Sequence, residues 1–271
     1  MQQNIAFIGA GNMARAIFGG MLENAFPANQ LYVTGRTLSK LEDLGRQGIH
    51  IGTDNAAAIA ACEVVVLAVK PQLMRDVLQA LQGHIDTEGK LFISVAAGIS
   101  VASIDNWLGG GQSIVRCMPN TPSMLQQGAS GLYAAASVSS NQRELAQQII
   151  SATGLALWVE TEDQLDTVTA LSGSGPAYFF YLMEAMIEAA TEQGLAPQTA
   201  AQLALQTARG AAEMALTSDL SPSELRRQVT SPGGTTEQAI LSYQREDFSG
   251  LIKRGMQANT DRSKALSKEF S

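Results

Sequence analysis

The chain has 271 residues, 45% of them hydrophobic, and a formal charge of -7 at neutral pH. This is ordinary globular composition with room for one large core or two modest ones, and two domains are expected. The acidic balance excludes a broad basic surface, so no nucleic-acid partner is expected and an anionic ligand must be caught by local dipoles and a few cations.

The first residues lack the basic and long apolar regions of a signal peptide and lead directly into a strand, so a cytoplasmic protein is expected. Residues 4 to 8 form a short apolar run bounded by Gly9, and residues 12 to 24 carry helical spacing. Between them lies Gly9-Ala10-Gly11-Asn12-Met13-Ala14, a GxGxxA loop. Gly9 suits a tight turn, Gly11 lets backbone approach a pyrophosphate, and Ala14 allows close helix packing, with the helix N-terminus facing the phosphates. Strand, helix and position agree on a dinucleotide site.

Strand signals at 30 to 34, 49 to 51, 63 to 69, 90 to 96 and 113 to 118 alternate with helical patterns at 38 to 46, from Asp54, after Pro71 and from Ser100. This predicts a doubly wound parallel sheet. Gly109, Gly110 and Gly111 read as the turn before the last of these strands. At the end of the second strand, where an NAD site would place a carboxylate, stand Thr34, Gly35, Arg36 and Thr37. A guanidinium flanked by hydroxyls favours a 2'-phosphate and so NADPH; the other reading is a surface arginine opening a helix. Asn55 reads as a contact on the adenine side or as a helix cap, and Lys70, before Pro71, as a cofactor contact or an exposed lysine.

After a strand at 154 to 160 the strand signals stop, which places a domain boundary near 160 to 164. Residues 174 to 194 read as a buried apolar helix with Glu184, Glu188 and Glu192 as a polar stripe. Those glutamates come too often for a membrane span, and no membrane partner is expected. An alanine-lined helix follows, then a short one opened by a capping box of Ser221 and Glu224 with Pro222 at its first position. The two long helices offer more apolar face than about 110 residues can cover alone, which predicts an obligate dimer.

A second glycine loop, Ser231-Pro232-Gly233-Gly234-Thr235-Thr236, precedes another helix, with Thr235 and Gln238 at capping-box spacing. Its amides and hydroxyls suit a small carboxylate or phosphate; a plain interhelical turn is the alternative. Two histidines, His50 and His84, lie away from both loops, and the two cysteines, Cys62 and Cys117, read as core residues without metal-ligand spacing. A reductase lacking a histidine acid fits C=N reduction, because a protonated imine is already electrophilic; reductions assisted by lysine, tyrosine or threonine stay open.

The chain resembles the pyrroline-5-carboxylate reductases through six ordered motifs: FIGAGNMA at the N-terminus, AVKP at 68 to 71, SVAAGIS at 94 to 100, RCMPNTP at 116 to 122, SGSGPAY at 172 to 178, and SPSELRRQVTSPGGTTEQAI at 221 to 240. It departs at Ala14, in place of the third fingerprint glycine, and at Tyr243, where an aliphatic residue or phenylalanine is common. The resemblance implies an α/β fold: an N-terminal Rossmann-like, NADP-binding domain over 1–161, then an all-α substrate-binding and dimerisation domain over 162–271. It implies reduction of 1-pyrroline-5-carboxylate to L-proline by NADPH, or NADH, in a homodimer or a ring of dimers. By position it assigns Gly9, Ala10, Gly11, Asn12, Met13, Thr34, Arg36, Asn55, Ala68, Val69, Lys70, Pro71, Ala96, Ala97 and Gly98 to the cofactor. Ser231, Gly233, Gly234 and Thr235 go to the substrate carboxylate and Thr236 to the ring nitrogen. Met118 and Asn120 border the same crevice, and Glu224 positions the loop or merely caps its helix. A 3-hydroxyacid dehydrogenase would want a lysine between 174 and 194, where there is none. An NADP-binding sensor would have no need of the hydroxyl-rich loop.

Overall fold

The computed structural model describes residues 3–270, which divide into two compact units: the residues up to Ser174 together with those from Ala258, and Gly175–Gln257. In the first unit the strands are β1 (Ile5–Ile8), β2 (Leu31–Thr34), β3 (His50–Gly52), β4 (Val64–Leu67), β5 (Leu91–Ser94), β6 (Ser113–Met118), β7 (Gly128–Ala134) and β8 (Gly154–Trp158). The helices between them are α1 (Asn12–Glu23), α2 (Glu42–Gly45), α3 (Asn55–Ala60), α4 (Pro71–Gln79), α5 (Val101–Trp107) and α6 (Ser140–Ser151), followed by α7 (Gln164–Val168).

The eight strands form one sheet in the order β3-β2-β1-β4-β5-β6-β7-β8. Every pairing is parallel except β6 with β7, where Cys117 faces Leu132 across an antiparallel ladder. Successive residues of β1 enter opposite cores. Ile5 and Phe7 pack with Val64, Val66 and Ile93 on one face, while Ala6 and Ile8 pack with Val65, Leu67 and Phe92 on the other. A sheet covered on both faces needs apolar residues at every strand position, which is why these strands read as unbroken hydrophobic runs. Phe7 meets Phe18 of α1 edge-on at 5.3 Å, an arrangement worth about 0.5–1.5 kcal/mol beyond its buried area.

Three sequence expectations need correction here. The sheet is parallel through β6 and then reverses once: β7, which the strand signals did not reveal, runs antiparallel to β6, and β8, parallel to β7, keeps that reversed direction. The helix expected over 38 to 46 is a 3-10 turn, Leu38–Lys40, followed by the single turn α2. Arg15 of α1 ties that segment down, reaching Asp43 at 2.7 Å and the Lys40 carbonyl at 3.1 Å.

The second unit holds α8 (Gly175–Glu192), α9 (Pro197–Thr217), α10 (Pro222–Gln228), α11 (Thr235–Arg245) and the start of α12 (Phe248–Phe270), whose end belongs to the first unit. The third correction concerns α8, expected to be buried. Within one chain Phe179 and Phe180 are each 63% exposed and Tyr181 is 73% exposed. Among the described residues α9 is the element that packs along it, and a single neighbour leaves much of the apolar face uncovered. The capping box of Ser221 and Glu224 forms as expected, with Pro222 at the first helical position. Among the described residues no helix is long and apolar enough to cross a membrane.

Candidate functional site

In the first unit the strand order reverses between β1 and β4, and the loops at their carboxyl ends meet there. Gly9 sits at φ +103°, and a Cβ on it would lie 2.8 Å from the Ala68 carbonyl oxygen, so only glycine fits. Its N–H donates to the Thr34 carbonyl at 3.1 Å, and the Ala68 N–H donates to that of Ile8 at 2.9 Å. These bonds stitch the ends of β2, β1 and β4 together. Gly11, the N-cap of α1, has open space where its Cβ would be, and no side chain caps the helix. The first amides of α1 therefore stand uncapped next to bare backbone, which is the chemistry a pyrophosphate requires.

Around this cradle lie the other expected residues of the unit. Thr34 is 2% exposed, and its hydroxyl bonds Oδ1 of Asn55 at 2.7 Å. Asn55 is not the helix cap that the sequence left open; Asp54 is, accepting from the Ala57 N–H. Arg36 and Thr37 are exposed, and among the described residues Arg36 has no ion-pair or hydrogen-bond partner. Lys70 is likewise exposed and precedes Pro71, the first residue of α4. Gly98, at φ +71°, would place a Cβ 3.3 Å from that of Leu266, so the end of α12 packs directly on the Ala96-Ala97-Gly98 loop.

Met118 ends β6 with its Cε methyl group against Gly173. Asn120 is held in place by backbone: its Nδ2 donates to the Ser172 carbonyl at 3.0 Å, and its Oδ1 accepts from the Ala129 N–H at 2.9 Å. Both ends of that amide are engaged, so Asn120 braces the corner between β6 and β7. Unforeseen from sequence is the Arg116–Glu162 pair at 2.7 Å, which is mostly buried. Glu162 also accepts from the Val101 N–H at 2.7 Å and so anchors the start of α5, just after the Ala96–Gly98 loop. The signal for it was spread over two distant segments.

In the second unit the glycine loop is a tight turn. Pro232 and Gly233 (φ +73°) occupy its centre, and the Gly234 N–H donates to the Ser231 carbonyl at 3.0 Å, a type II pattern. Gly234 is the N-cap of α11, so the expected capping box of Thr235 and Gln238 does not form. Thr235 and Thr236 are the first two helical residues, and among the described residues their N–H groups have no partner. The Gly233 N–H donates to Oε2 of Glu237 at 2.8 Å. At the preceding helix, Ser221 donates both its N–H and its hydroxyl to Glu224, which holds that carboxyl below the usual carboxylate range.

Neither thiol adds chemistry. Cys62 and Cys117 are pushed up to about 12 by burial, so neither is a nucleophile at neutral pH. Among the described residues no group of His, Cys, Asp and Glu is placed to hold a metal ion. His50 stacks on Tyr32 at 4.4 Å.

Residues 162–266 match the family model described as pyrroline-5-carboxylate reductase dimerisation, and residues 4–98 match that of NADP oxidoreductase, coenzyme F420-dependent. A pyrroline-5-carboxylate reductase of Pseudomonas aeruginosa is 51% identical over 267 residues, covering 98% of this chain and 97% of the relative. The solved structure of a pyrroline-5-carboxylate reductase from Coxiella burnetii superposes with a TM-score of 0.95 at 45% identity, over 98% of this chain and 99% of that one. The Plasmodium falciparum pyrroline carboxylate reductase with NADP bound gives 0.86 at 27% identity, over 98% of each chain.

Proposed function

The chain belongs to the pyrroline-5-carboxylate reductase family, and from that premise we propose that it reduces the C=N bond of 1-pyrroline-5-carboxylate to give L-proline, the last step of proline biosynthesis. The observation that carries this reading is that the likeness spans both units at once, with 98% of the chain covered at 51% identity. A shared nucleotide fold alone would leave the second glycine loop unaccounted for.

The first unit suits NADPH, which when bound supplies the hydride. Its cradle fits: open space over Gly11, an uncapped α1 and an Arg36 without a partner among the described residues match a dinucleotide carrying a 2'-phosphate. In this reading the Gly9–Met13 loop takes the pyrophosphate. Arg36 and Thr37 take the 2'-phosphate, and Thr34, Asn55, Ala68–Pro71 and Ala96–Gly98 line the cofactor. NADH is accepted more weakly.

The second glycine loop holds the substrate. Ser231, Gly233, Gly234 and Thr235 surround its carboxylate, and the amides of Thr235 and Thr236, without a partner among the described residues, carry most of the attraction. The Thr236 hydroxyl faces the ring nitrogen. Hydride adds to the imine carbon, the C=N π pair moves to nitrogen, and the positive charge of the protonated imine is lost. The chain therefore needs to orient the ring and has little use for a strong acid. Met118 and Asn120 are assigned to the substrate by their motif, and Glu224 fixes the helix that leads into the loop. We assign the cofactor to residues 1–161 and substrate binding and dimerisation to 162–271. The enzyme works as a cytoplasmic homodimer or a ring of dimers, as the open apolar face of α8 and the match to a dimerisation model suggest.

The test is the fall of NADPH absorbance when 1-pyrroline-5-carboxylate is added to the purified protein. An NADP-binding sensor would give no turnover, and a hydroxyacid dehydrogenase would turn over hydroxyacids instead.

A further inference from the structure

Two helices of the second unit begin alike in sequence and differ in their wiring. In α10 the third helical residue, Glu224, accepts from the N–H of the N-cap Ser221, as a capping box requires. In α11 the third helical residue is also a glutamate, Glu237. The N–H of its N-cap, Gly234, is already taken by the Ser231 carbonyl, and Glu237 reaches one residue further back to the Gly233 N–H at 2.8 Å. A carboxylate thus stands on the very loop assigned above to the carboxylate of the substrate.

We propose that Glu237 is a built-in competitor for the substrate's carboxylate, holding the Gly233 amide in the free enzyme and giving it up on binding. The inference rests on the functional reading above and deepens it. Two carboxylates at hydrogen-bonding distance from one amide repel, and the charges share the same small set of N–H donors. A substrate carrying its own carboxylate recovers, through the amides of Thr235, Thr236 and Gly233, what the displaced glutamate loses. A neutral cyclic imine recovers none of it. Glu237 therefore weakens binding of the true substrate somewhat and keeps the loop closed to rings without an anion.

The experiment compares wild type with Glu237→Gln and Glu237→Ala, measuring the KM for 1-pyrroline-5-carboxylate and the inhibition constant of L-proline, a carboxylate that is not turned over in this direction. Both variants remove the charge, and both constants should fall by about 2- to 5-fold, the range for one solvent-accessible charge interaction. Glutamine keeps an acceptor for Gly233 and nearly the same shape, so it decides the matter alone if the alanine variant does not fold. Were Glu237 only a support for the turn, Gln would leave KM unchanged and Ala would raise it; either result overturns the proposal. Absence of turnover by the wild-type protein would overturn the functional reading itself, and this inference with it, whereas turnover by wild type without tightening in the variants overturns this inference alone.

Discussion

The hydroxyl of Thr34, at the carboxyl end of β2, lies 2.7 Å from Oδ1 of Asn55, the first residue of α3. An amide oxygen only accepts, so the hydroxyl proton is directed to it, and the Asn55 amino group remains as a donor. A threonine that looks like a β-branched strand residue thus holds the asparagine proposed above for the cofactor.

Thr34→Val keeps the shape and β-preference of the residue while leaving the Asn55 oxygen without that donor. Stability should fall by about 1 kcal/mol, the typical net value of one such bond. The KM for NADPH should rise several-fold while that for 1-pyrroline-5-carboxylate stays put. Thr34→Ser should restore both. Thermal melts and steady-state kinetics on the three proteins check this, and equal cofactor constants would mean that Asn55 is aimed by something else.

Arg36 is exposed and unpaired in the described structure, as a residue awaiting a phosphate should be. Arg36→Asp introduces a charge that repels a 2'-phosphate and suits a free hydroxyl. The KM for NADPH should rise at least tenfold more than that for NADH. Kinetics with both cofactors decide, and an equal response would make Arg36 a surface residue only.

Gly20 lies in the middle of α1, where glycine costs about 1 kcal/mol against alanine. Here the usual gain from Gly→Ala reverses, because a Cβ would come to 2.2 Å from the backbone oxygen of Ala152. Gly20→Ala should destabilise the enzyme by about 1–3 kcal/mol, since backbone cannot swing aside as a side chain does. Gly19→Ala, with nothing within 4 Å of its Cβ position, is the control and should be neutral or stabilising in a denaturant titration.

The same physics explains which parts of the fold were legible in advance. Strands β1, β4, β5 and β6 are buried on both faces and announce themselves as apolar runs, and the Gly9–Met13 loop is specified by local chemistry. Strand β7 does not, because Gly128 and Gly131 interrupt its pattern. A Cβ on Gly131 would lie 2.7 Å from Val168, and one on Gly128 would lie 2.8 Å from the Thr153 oxygen. Gly131 answers to Val168 and Gly128 to Thr153 as well as to nearby Ser123, so most of the constraint comes from segments that no local window contains. In the candidate site, the loop 231–236 could be located by its residues, but its wiring could not. Thr235–Gln238 and Gly234–Glu237 both have capping-box spacing, and the turn closed by the Gly234 N–H onto Ser231 defeats both, leaving Glu237 to reach back to Gly233.

Phe180, Met183, Ile187 and Leu205 line an open apolar trough between α8 and α9. Such a surface is costly in water, and a second copy of the chain is the occupant expected of it. Sedimentation should show a dimer or a multiple of it, and Phe180→Asp should shift the distribution toward a monomer of low activity. A fully active monomer at working dilution would remove the dimer from the mechanism.

Thr236 is the second residue of α11, exposed, with an N–H that no described residue accepts. At this position its amide and hydroxyl are both presented at the positive end of the helix. If the hydroxyl orients the imine nitrogen while charge leaves it, the bond matters more in the transition state than in the bound substrate. Thr236→Ala should then lower kcat by about 10- to 1,000-fold, on the order of 1.4 to 4 kcal/mol, with little change in cofactor affinity. Thr235 precedes it by one residue and points its side chain from the first position of the helix, where the role assigned is to hold the carboxylate. Thr235→Ala should raise the KM for 1-pyrroline-5-carboxylate and leave kcat nearly intact, because ground state and transition state carry the same carboxylate and lose the same contact. Neither substitution removes a helix cap, since Gly234 occupies that place, so circular dichroism should report native folding in both and leave kinetics as the only difference. Unaltered turnover in Thr236→Ala would mean that the loop binds the substrate without assisting hydride transfer. A kcat loss in Thr235→Ala as large as that in Thr236→Ala would mean that the two hydroxyls act together on the ring.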